Sequence, residues 1–433
     1  MIGVTPITGD RGDYDGLMAR IAGRRFVLIG EASHGTHEFY RERARITRRL
    51  IDELGFTAVA VEADWPDAYR VNRWVRAQSA DADAAEALAD FRRFPNWMWR
   101  NADVVAFLQW LRAFNDAQAF DEAKVGFYGL DLYSMRSSMD AVVDYLERHE
   151  PVAAEEARER YACFDLFQGE GQHYGHAVTM NYAAPCEQEV VQQLLDLRER
   201  RQQLLSQDGW LAQDDYFFAE QNARLVLNAE NYYRQMYRGS VSSWNLRDSH
   251  MGQTLQELVR HLESRRSPAK VVVWAHNSHV GDARHTQMGH HGELNIGQLV
   301  REAAGDDCVN VGFTTHHGQV TAASEWGGIA ERKRVRRSLP ASYEVLFHEW
   351  SATEGDAFLV RTDQVDLPRN LLERAIGVIY RPDTERTSHW FHADLADQFD
   401  VVIHIDRTHA LHPLERTPLW DMGEPPETYP TGL

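Results

Sequence analysis

The chain has 433 residues, of which 43% are hydrophobic and 26% are charged. This length and composition are those of a globular protein with one large domain or two, and they exclude a disordered or fibrous chain. The formal net charge is −19, from 46 Lys and Arg against 65 Asp and Glu. Such an acidic chain argues against a nucleic-acid partner, because phosphate backbones are bound by basic surfaces.

The cysteines and the distribution of apolar residues bear on the cellular compartment. Cys163, Cys186 and Cys308 are widely spaced and form no C-x-x-C motif, which argues against a disulfide framework and a structural zinc site. The first twenty residues lack the apolar stretch of a signal peptide, and no run of about eighteen apolar residues occurs that could cross a membrane. We therefore expect a cytoplasmic protein with no membrane partner.

Continuous apolar runs recur along the chain, and such runs are typical of parallel strands buried on both faces. Helical patterns lie between the early runs, as in 37–54, and this strand–helix–strand order indicates a mostly parallel sheet covered by helices. The runs are RFVLIG (25–30), AVAVEAD (58–64), KVGFYGLD (124–131), KVVVWAHNSHV (270–280), CVNVGFTT (308–315), AFLVRT (357–362), AIGVIY (375–380) and VVIHID (401–406).

The region 151–262 has a different character, with the periodicity of amphipathic helices and almost no glycine between 188 and 238. We interpret it as a helical insertion that acts as a lid. The first part of an α/β core then covers 1–150, with strands near 25–30, 58–64 and 124–131, and the second part covers 263–433. The predicted fold class is α/β, a three-layer α/β/α core with a small mainly parallel sheet and a large helical insertion.

Ionisable and polar residues follow four of the predicted strands. The carboxyl ends of parallel strands meet at one edge of a sheet, where ligands bind, so these side chains are expected to form one reaction centre. In strand order they are Glu31 and His34, then Glu62 and Asp64, then Asp131 and Tyr133, and finally His276, Asn277 and His279.

Other interpretations of these residues remain open. Glu31 and Ser33 could cap a helix that starts near Gly35. The HxxH pairs at 34–37 and 276–279, with the glutamates, could hold a divalent metal, although the spacing is not that of H-E-x-x-H and Gly35 disfavours a rigid helical clamp. His37 lies in the helix and is expected to face away from the site.

Three further histidine and arginine patterns are predicted to be ordinary surface features. The pairs His290–His291 and His316–His317 are interpreted as solvated loop residues, and ERKRVRR (331–337) as a solvated face. No G-x-S-x-G elbow occurs, and no glycine-rich phosphate-binding motif follows a strand. The sequence therefore predicts neither a serine hydrolase nor a nucleotide cofactor.

Four motifs in order resemble the erythromycin esterase family. They are GEASHGTHEFY (30–40), VEADWPDAYRVN (61–72), NLRDSHM (245–251) and WAHNSHVGDA (274–283). The resemblance implies a three-layer core with a helical insertion. It also implies hydrolysis of a carboxylic ester without a metal or cofactor, possibly the lactone ring of a macrolide, and hence antibiotic resistance.

The resemblance also implies roles for individual residues. His34 maps to the general base that removes a proton from water, Glu31 and Glu62 to carboxylates that orient the ring, and His276 to the histidine of the later strand. Together with His276, Arg247 on the predicted lid would stabilise the oxyanion. Further substrate-binding candidates are Arg43, Asp64 and His279.

Three hypotheses for the function follow. The first is a hydrolase that cleaves a small-molecule ester with a histidine-activated water. The second is a metal-dependent hydrolase that uses the same histidines and glutamates. The third is a homologue that binds a small molecule without catalysis.

Overall fold

A computed structural model of the chain describes residues 1–167, 171–201, 204, 209–237, 239–264 and 268–423. The chain forms two compact units, and each is built from separate segments. The first unit comprises Met1–Val59, Arg73–Gly126 and Pro268–Leu433, and the second comprises Ala60–Asn72 and Phe127–Ser267. The domain boundaries drawn from the sequence stay a prediction.

Strands occur in both units. In chain order they are β1 (Val4–Pro6), β2 (Phe26–Ile29), β3 (Ala58–Asp64), β4 (Gly126–Asp131), β5 (Val271–Trp274), β6 (Cys308–Thr314), β7 (His317–Ala322), β8 (Glu331–Val335), β9 (Ala357–Arg361), β10 (Leu371–Arg374), β11 (Trp390–Ala393), β12 (Val401–Ile405) and β13 (Arg407–Thr408).

The α-helices of the described residues are numbered here in chain order. They are α1 (Asp15–Ile21), α2 (His37–Leu54), α3 (Trp65–Val75), α4 (Ala84–Ala87), α5 (Ala102–Asp116), α6 (Met135–His149), α7 (Pro151–Tyr161), α8 (Gly171–Thr179), α9 (Glu187–Glu199), α10 (Gly209–Gln235), α11 (Ser240–Glu263), α12 (Asn277–Val280), α13 (Gln287–His290), α14 (Ile296–Ala304), α15 (Tyr343–Glu354), α16 (Glu385–Ser388), α17 (Leu395–Gln398) and α18 (Pro418–Met422).

The main sheet of the first unit has the strand order β1-β9-β12-β6-β2-β5. β2 lies parallel to β5 on one side and to β6 on the other, and β12 lies parallel to β6. β9 and β1 add antiparallel pairs at the far edge. Every residue of β5, β6 and β12 is buried, which explains why these strands are continuous apolar runs in the sequence.

The second unit contains the neighbouring strands β3 and β4 and a set of long helices. Its core includes stacked aromatic rings, such as Tyr69 on Phe218 of α10 with centroids 3.8 Å apart, and Trp65 packs edge-on against Phe217. The predicted α/β class, with a mainly parallel central sheet and a large helical part, is confirmed. Among the described residues, no helix is both long enough and apolar enough to span a membrane.

The structure differs from the sequence predictions in several places. The run AIGVIY (375–380) is not a strand, and only its residues Ile376 and Ile379 form isolated bridges. Helix α2 begins at His37 rather than near Gly35. His316, expected to be solvated, is buried and its ring stacks on that of His348 with centroids 3.7 Å apart.

The cysteine prediction also needs correction. Cys163 and Cys186 are joined by a disulfide that closes a segment of 23 residues in the second unit. Cys308 is free and buried, and burial raises the pKa of its thiol to about 12. Spacing along the chain did not reveal the pair because the helical packing of the intervening segment determines which cysteines meet.

The loop between β2 and α2 is held by backbone contacts on several sides. The carbonyl of Gly35 accepts hydrogen bonds from the amides of Thr321 (2.9 Å) and Leu411 (2.8 Å). A Cβ at this glycine would collide with the carbonyl of Thr321. Glycine is therefore required here by close approach of two backbones.

We predict that Gly35→Ala destabilises the protein by about 1–3 kcal/mol, because the added methyl group overpacks a rigid backbone contact. Denaturant unfolding measures this change. Gly16→Ala is the matched control, since nothing lies within 4 Å of a Cβ at Gly16 in helix α1. That control should stabilise the protein by about 0.5–1 kcal/mol. Equal stability of Gly35→Ala and the wild type would contradict the requirement for glycine at this close approach of two backbones.

The end of β5 is fixed to its neighbours by one buried amide. The side chain of Asn277 donates to the carbonyl of Phe313 in β6 (2.7 Å) and to Glu373 of β10 (3.3 Å), and accepts from the amide of Phe313 (3.2 Å). Burial, reinforced by the neighbouring carboxyl group of Glu344, raises the pKa of Glu373 to about 8. Glu373 is therefore protonated at neutral pH.

This raised pKa predicts a pH-dependent loss of stability. The stabilisation is complete below the ordinary glutamate pKa, declines by about 1.4 kcal/mol per pH unit between that value and the folded value, and is lost above the folded value of about 8. Glu373→Gln, which is neutral at every pH, should match the wild type near pH 5 and unfold at a higher temperature near pH 9. The exposed Glu325→Gln is the control and should show no such divergence. Parallel melting curves for Glu373→Gln and wild type would refute the raised pKa.

Candidate active site

Two clusters of charged residues follow the ends of strands, one in each unit. The first is built on the segment that leaves β2. Residues 30–36 are all buried, and several of their backbone polar groups are paired with surrounding segments of the first unit. The amide of Gly30 donates to Val311 (2.8 Å), and that of His34 to Ile376 (3.3 Å). Because the loop is rigid, Glu31 and His34 are held in place before any ligand arrives.

Glu31 lies between two basic side chains. One of its carboxylate oxygens contacts Nδ1 of His34 at 3.0 Å, and the other accepts from Nη2 of Arg43 at 3.0 Å. Arg43 is fully buried in helix α2, and its guanidinium lies over the rings of Tyr40 (4.3 Å) and Trp274 (5.2 Å). This carboxylate is therefore a structural partner of His34 and Arg43 rather than a helix cap.

The contact with Glu31 determines which nitrogen of His34 carries the proton. A carboxylate accepts hydrogen bonds, so Nδ1 of His34 is the donor and a neutral ring has its lone pair on Nε2. That arrangement is the one a general base needs, since the carboxylate stabilises the imidazolium that forms when Nε2 takes a proton.

His276 has the opposite arrangement. It precedes the short helix α12, and its Nδ1 accepts a hydrogen bond from the amide of Ser278 (3.2 Å), with the Ser278 hydroxyl 2.8 Å away. Because Nδ1 accepts, the proton of the neutral ring is on Nε2. His276 is thus arranged as a hydrogen-bond donor through Nε2.

The rings of His34 and His276 are neighbours, with centroids 4.9 Å apart and planes inclined by 52°. The structure therefore brings together Glu31, His34, Arg43 and His276 in the first unit. A ring with a lone pair on Nε2 and a ring with a proton on Nε2 therefore lie side by side.

The second cluster is an ion-paired group in the second unit. Nη2 of Arg247 in helix α11 donates to Glu62 of β3 (2.6 Å) and Asp131 of β4 (2.7 Å), and its Nε donates to Asp131 (3.0 Å). Burial would lower the pKa of Arg247, but the charges of Asp131, Tyr133 and Glu62 raise it well above its usual value. Arg247 is a permanent cation that holds two buried carboxylates.

The remaining predicted residues differ in what surrounds them. Asp64 and His279 are buried, at the end of β3 and in helix α12 respectively. His37 contacts Asp103 of helix α5 through Nδ1 at 2.8 Å, and this hydrogen bond raises its pKa. The surface pair His290–His291 is exposed.

Ser278 was not named from the sequence, because it acts through a backbone amide and no charge pattern marks it. Asp131 and Asn277 were named among the residues at strand ends, but neither was given a role in the candidate site. Within the described ranges, no group of three or more His, Cys, Asp or Glu side chains is arranged to hold a metal ion.

Comparison with known proteins identifies the family. The family model described as erythromycin esterase matches residues 51–408. The erythromycin esterase type II of Escherichia coli is 24% identical over 324 residues, which are 72% of this chain and 73% of that protein.

Two solved structures share the fold. A protein from Bacillus cereus has a TM-score of 0.77 at 18% identity, covering 95% of this chain and 97% of its own. A mutant of the erythromycin esterase EreC in its open conformation has a TM-score of 0.68 at 16% identity, covering 94% and 98%. Since the family model spans most of the 433 residues, the chain belongs to the erythromycin esterase family.

Proposed function

We propose that the protein hydrolyses a carboxylic ester of a small molecule, with His34 as the general base on water and His276 as a donor to the oxyanion. The observation that carries this proposal is the complementary protonation of the two rings. Glu31 fixes the proton of His34 on Nδ1, and the Ser278 amide fixes that of His276 on Nε2.

In the proposed reaction, Nε2 of His34 takes a proton from a water molecule while the water oxygen attacks the ester carbonyl carbon. Negative charge then develops on the carbonyl oxygen, and the Nε2–H of His276 donates a hydrogen bond to it. The tetrahedral intermediate collapses as the carbon–oxygen bond to the alcohol breaks, and His34 returns its proton to the departing alkoxide. The products are an acid and an alcohol.

A macrolide lactone is the first substrate to test, because the Escherichia coli relative is named an erythromycin esterase. Purified protein should convert the lactone to the ring-opened hydroxy acid, a mass gain of one water, and should keep this activity with a strong chelator present. Loss of activity with the chelator would favour the metal-dependent hypothesis. No turnover across a broad panel of esters, with ligand-dependent stabilisation, would favour the binding hypothesis.

Substitution by glutamine should lower kcat to different extents at His34 and His276. His34→Gln removes the base and should lower kcat by roughly 10²–10⁴. His276→Gln keeps an amide N–H in place of the ring N–H, so its loss should stay below the roughly 10²–10³ expected when a donor is removed entirely.

The exposed His290→Gln is the control for these two variants and should be fully active. Each variant is checked for an unchanged melting temperature. Full activity of His34→Gln, or a greater loss in His276→Gln than in His34→Gln, would overturn the assignment of roles.

The buried pair of Glu31 and Arg43 should be energetically coupled. Arg43→Met leaves a buried carboxylate with one fewer counter-charge and should destabilise by about 3–5 kcal/mol. Glu31→Gln combined with Arg43→Met should cost less than the sum of the single changes, by at least about 1 kcal/mol. Both single variants should also lose activity, since His34 loses its orientation.

Arg49 and Glu53 of the same helix provide the matched control, because they form an ion pair at 2.8 Å nearer the surface. Their double-mutant cycle should give a coupling of only about 0.3–0.5 kcal/mol. Similar coupling energies for the two pairs would mean that burial does not strengthen the Glu31–Arg43 contact.

The cluster of Glu62, Asp131 and Arg247 is proposed, from the order of the sequence motifs, to serve the same reaction. Its contacts favour a positioning role for Arg247, because two carboxylates already occupy its Nε and Nη2. This assignment differs from the oxyanion role expected from the sequence.

A further inference from the structure

A cavity of the first unit is lined by residues of the small sheet β13-β7-β8 and of neighbouring segments. One face of this sheet packs into a core that includes Val320, Ala322 and Val335. Residues of the same sheet also line this cavity, which has a volume of about 860 Å³. None of the residues that line it belongs to the candidate active site.

The alternation of β8 places arginines along this cavity. Lys333 and Val335 are buried, whereas Arg332, Arg334 and Arg336 alternate with them along the chain and line the cavity together with Val335. Residues two apart on a strand lie on the same face about 6–7 Å from each other. The motif ERKRVRR, expected to be an ordinary solvated face, thus forms a row of guanidinium groups along one wall.

Arg337, and Arg407 of β13, also line the cavity. We call the cavity lined by these five arginines the arginine cavity. Among its described lining residues, Asp383 is the one carboxylate facing five arginines, in a chain whose net charge is −19. Like charges this close repel one another, so the cluster costs stability unless an anion offsets it. The local charge is opposite to that of the chain as a whole.

Arg332 and Arg336 are held by contacts with the protein. Arg332 donates to the carbonyl of Asp421 (2.9 Å) and lies over the ring of Trp420 (5.4 Å). Arg336 pairs with Asp383 at 3.1 Å, and the Asp383 side chain is 96% exposed. These contacts orient the guanidinium groups while leaving most of their donors available.

Arg337 and Arg407 are exposed, and within the described part of the chain their side chains have no hydrogen-bond or ion-pair partner. They flank His317, whose Nδ1 is shielded from solvent and has no hydrogen-bond partner among the described residues. Burial lowers the pKa of His317. The charge of Asp406 raises this pKa in part, and the charges of the two arginines lower it further. Two cations that have no ion-pair partner among the described residues therefore flank a buried polar nitrogen.

We propose that the arginine cavity binds a small molecule that carries two or more phosphate groups. The planar guanidinium donates two parallel hydrogen bonds to a phosphate, which a row of arginines can repeat along a chain of phosphates. The cavity has the size of typical small-molecule sites and exceeds what one phosphate fills. This site is independent of the proposed ester hydrolysis.

Calorimetry on the full chain with inorganic tripolyphosphate at low ionic strength tests the proposal. We expect saturable binding that weakens as salt is raised, because exposed charges are screened. The double variant Arg337→Ala/Arg407→Ala should bind roughly 100-fold more weakly, from roughly ten-fold for each charged hydrogen-bonding group removed. The exposed Arg92→Ala is the control for loss of an arginine elsewhere on the surface and should bind as the wild type does.

Two further measurements make the result decisive. Without ligand, the double variant should melt at the wild-type temperature or above it, because its removal of like charges relieves repulsion. His34→Gln should bind tripolyphosphate normally, which separates this site from the proposed reaction. Unchanged affinity in the double variant, an equal loss in Arg92→Ala, or orthophosphate binding as tightly as tripolyphosphate would overturn the proposal. Binding of an acidic peptide or nucleic acid without tripolyphosphate binding would also overturn it.

Discussion

A buried carboxylate at the end of β2 is the constraint around which the first unit is arranged. Glu31 is 1% exposed, and an ionised group at that depth is tolerated only with cationic or hydrogen-bonding partners on both oxygens. Arg43 and His34 satisfy that demand, and each must in turn be fixed. The rings of Tyr40 and Trp274 hold the guanidinium, and the clamped loop around Gly35 holds the imidazole.

The second unit also contains buried charges that neutralise one another, but there a cation is the central group. There one guanidinium, Arg247, serves two carboxylates, Glu62 and Asp131, whereas in the first unit one carboxylate serves Arg43 and His34. In each case the central group makes charge-assisted hydrogen bonds to both neighbours, which restricts its rotamer more than a single contact would. Both clusters are therefore preorganised, and preorganised polar groups are what electrostatic catalysis requires.

The sequence predicted the parts of the fold that depend on burial. β2, β3, β6 and β12 are continuous apolar runs, and their bounds in the structure are within a residue or two of those predicted. Short strands such as β8 were missed because Glu331–Val335 alternates charged and buried residues and lies in a small sheet. AIGVIY was mistaken for a strand because a buried loop is as apolar as a strand, and only tertiary contacts distinguish them.

In the candidate site, too, the sequence pattern indicates some features and tertiary contacts determine the others. Strand ends in the sequence led to the selection of Glu31, His34, Glu62 and His276, and their selection as site residues stays a prediction. The residue pattern alone did not distinguish the chemistry of the two histidines, and their different roles were expected only from the family resemblance. His34 and His276 stand in the same HxxH spacing, yet one neutral ring offers a lone pair on Nε2 and the other a proton. The difference comes from one hydrogen bond each, to the carboxylate of Glu31 and from the amide of Ser278. Because both rings would be equivalent without those partners, the proposed roles of base and donor rest on the fold and not on the motif.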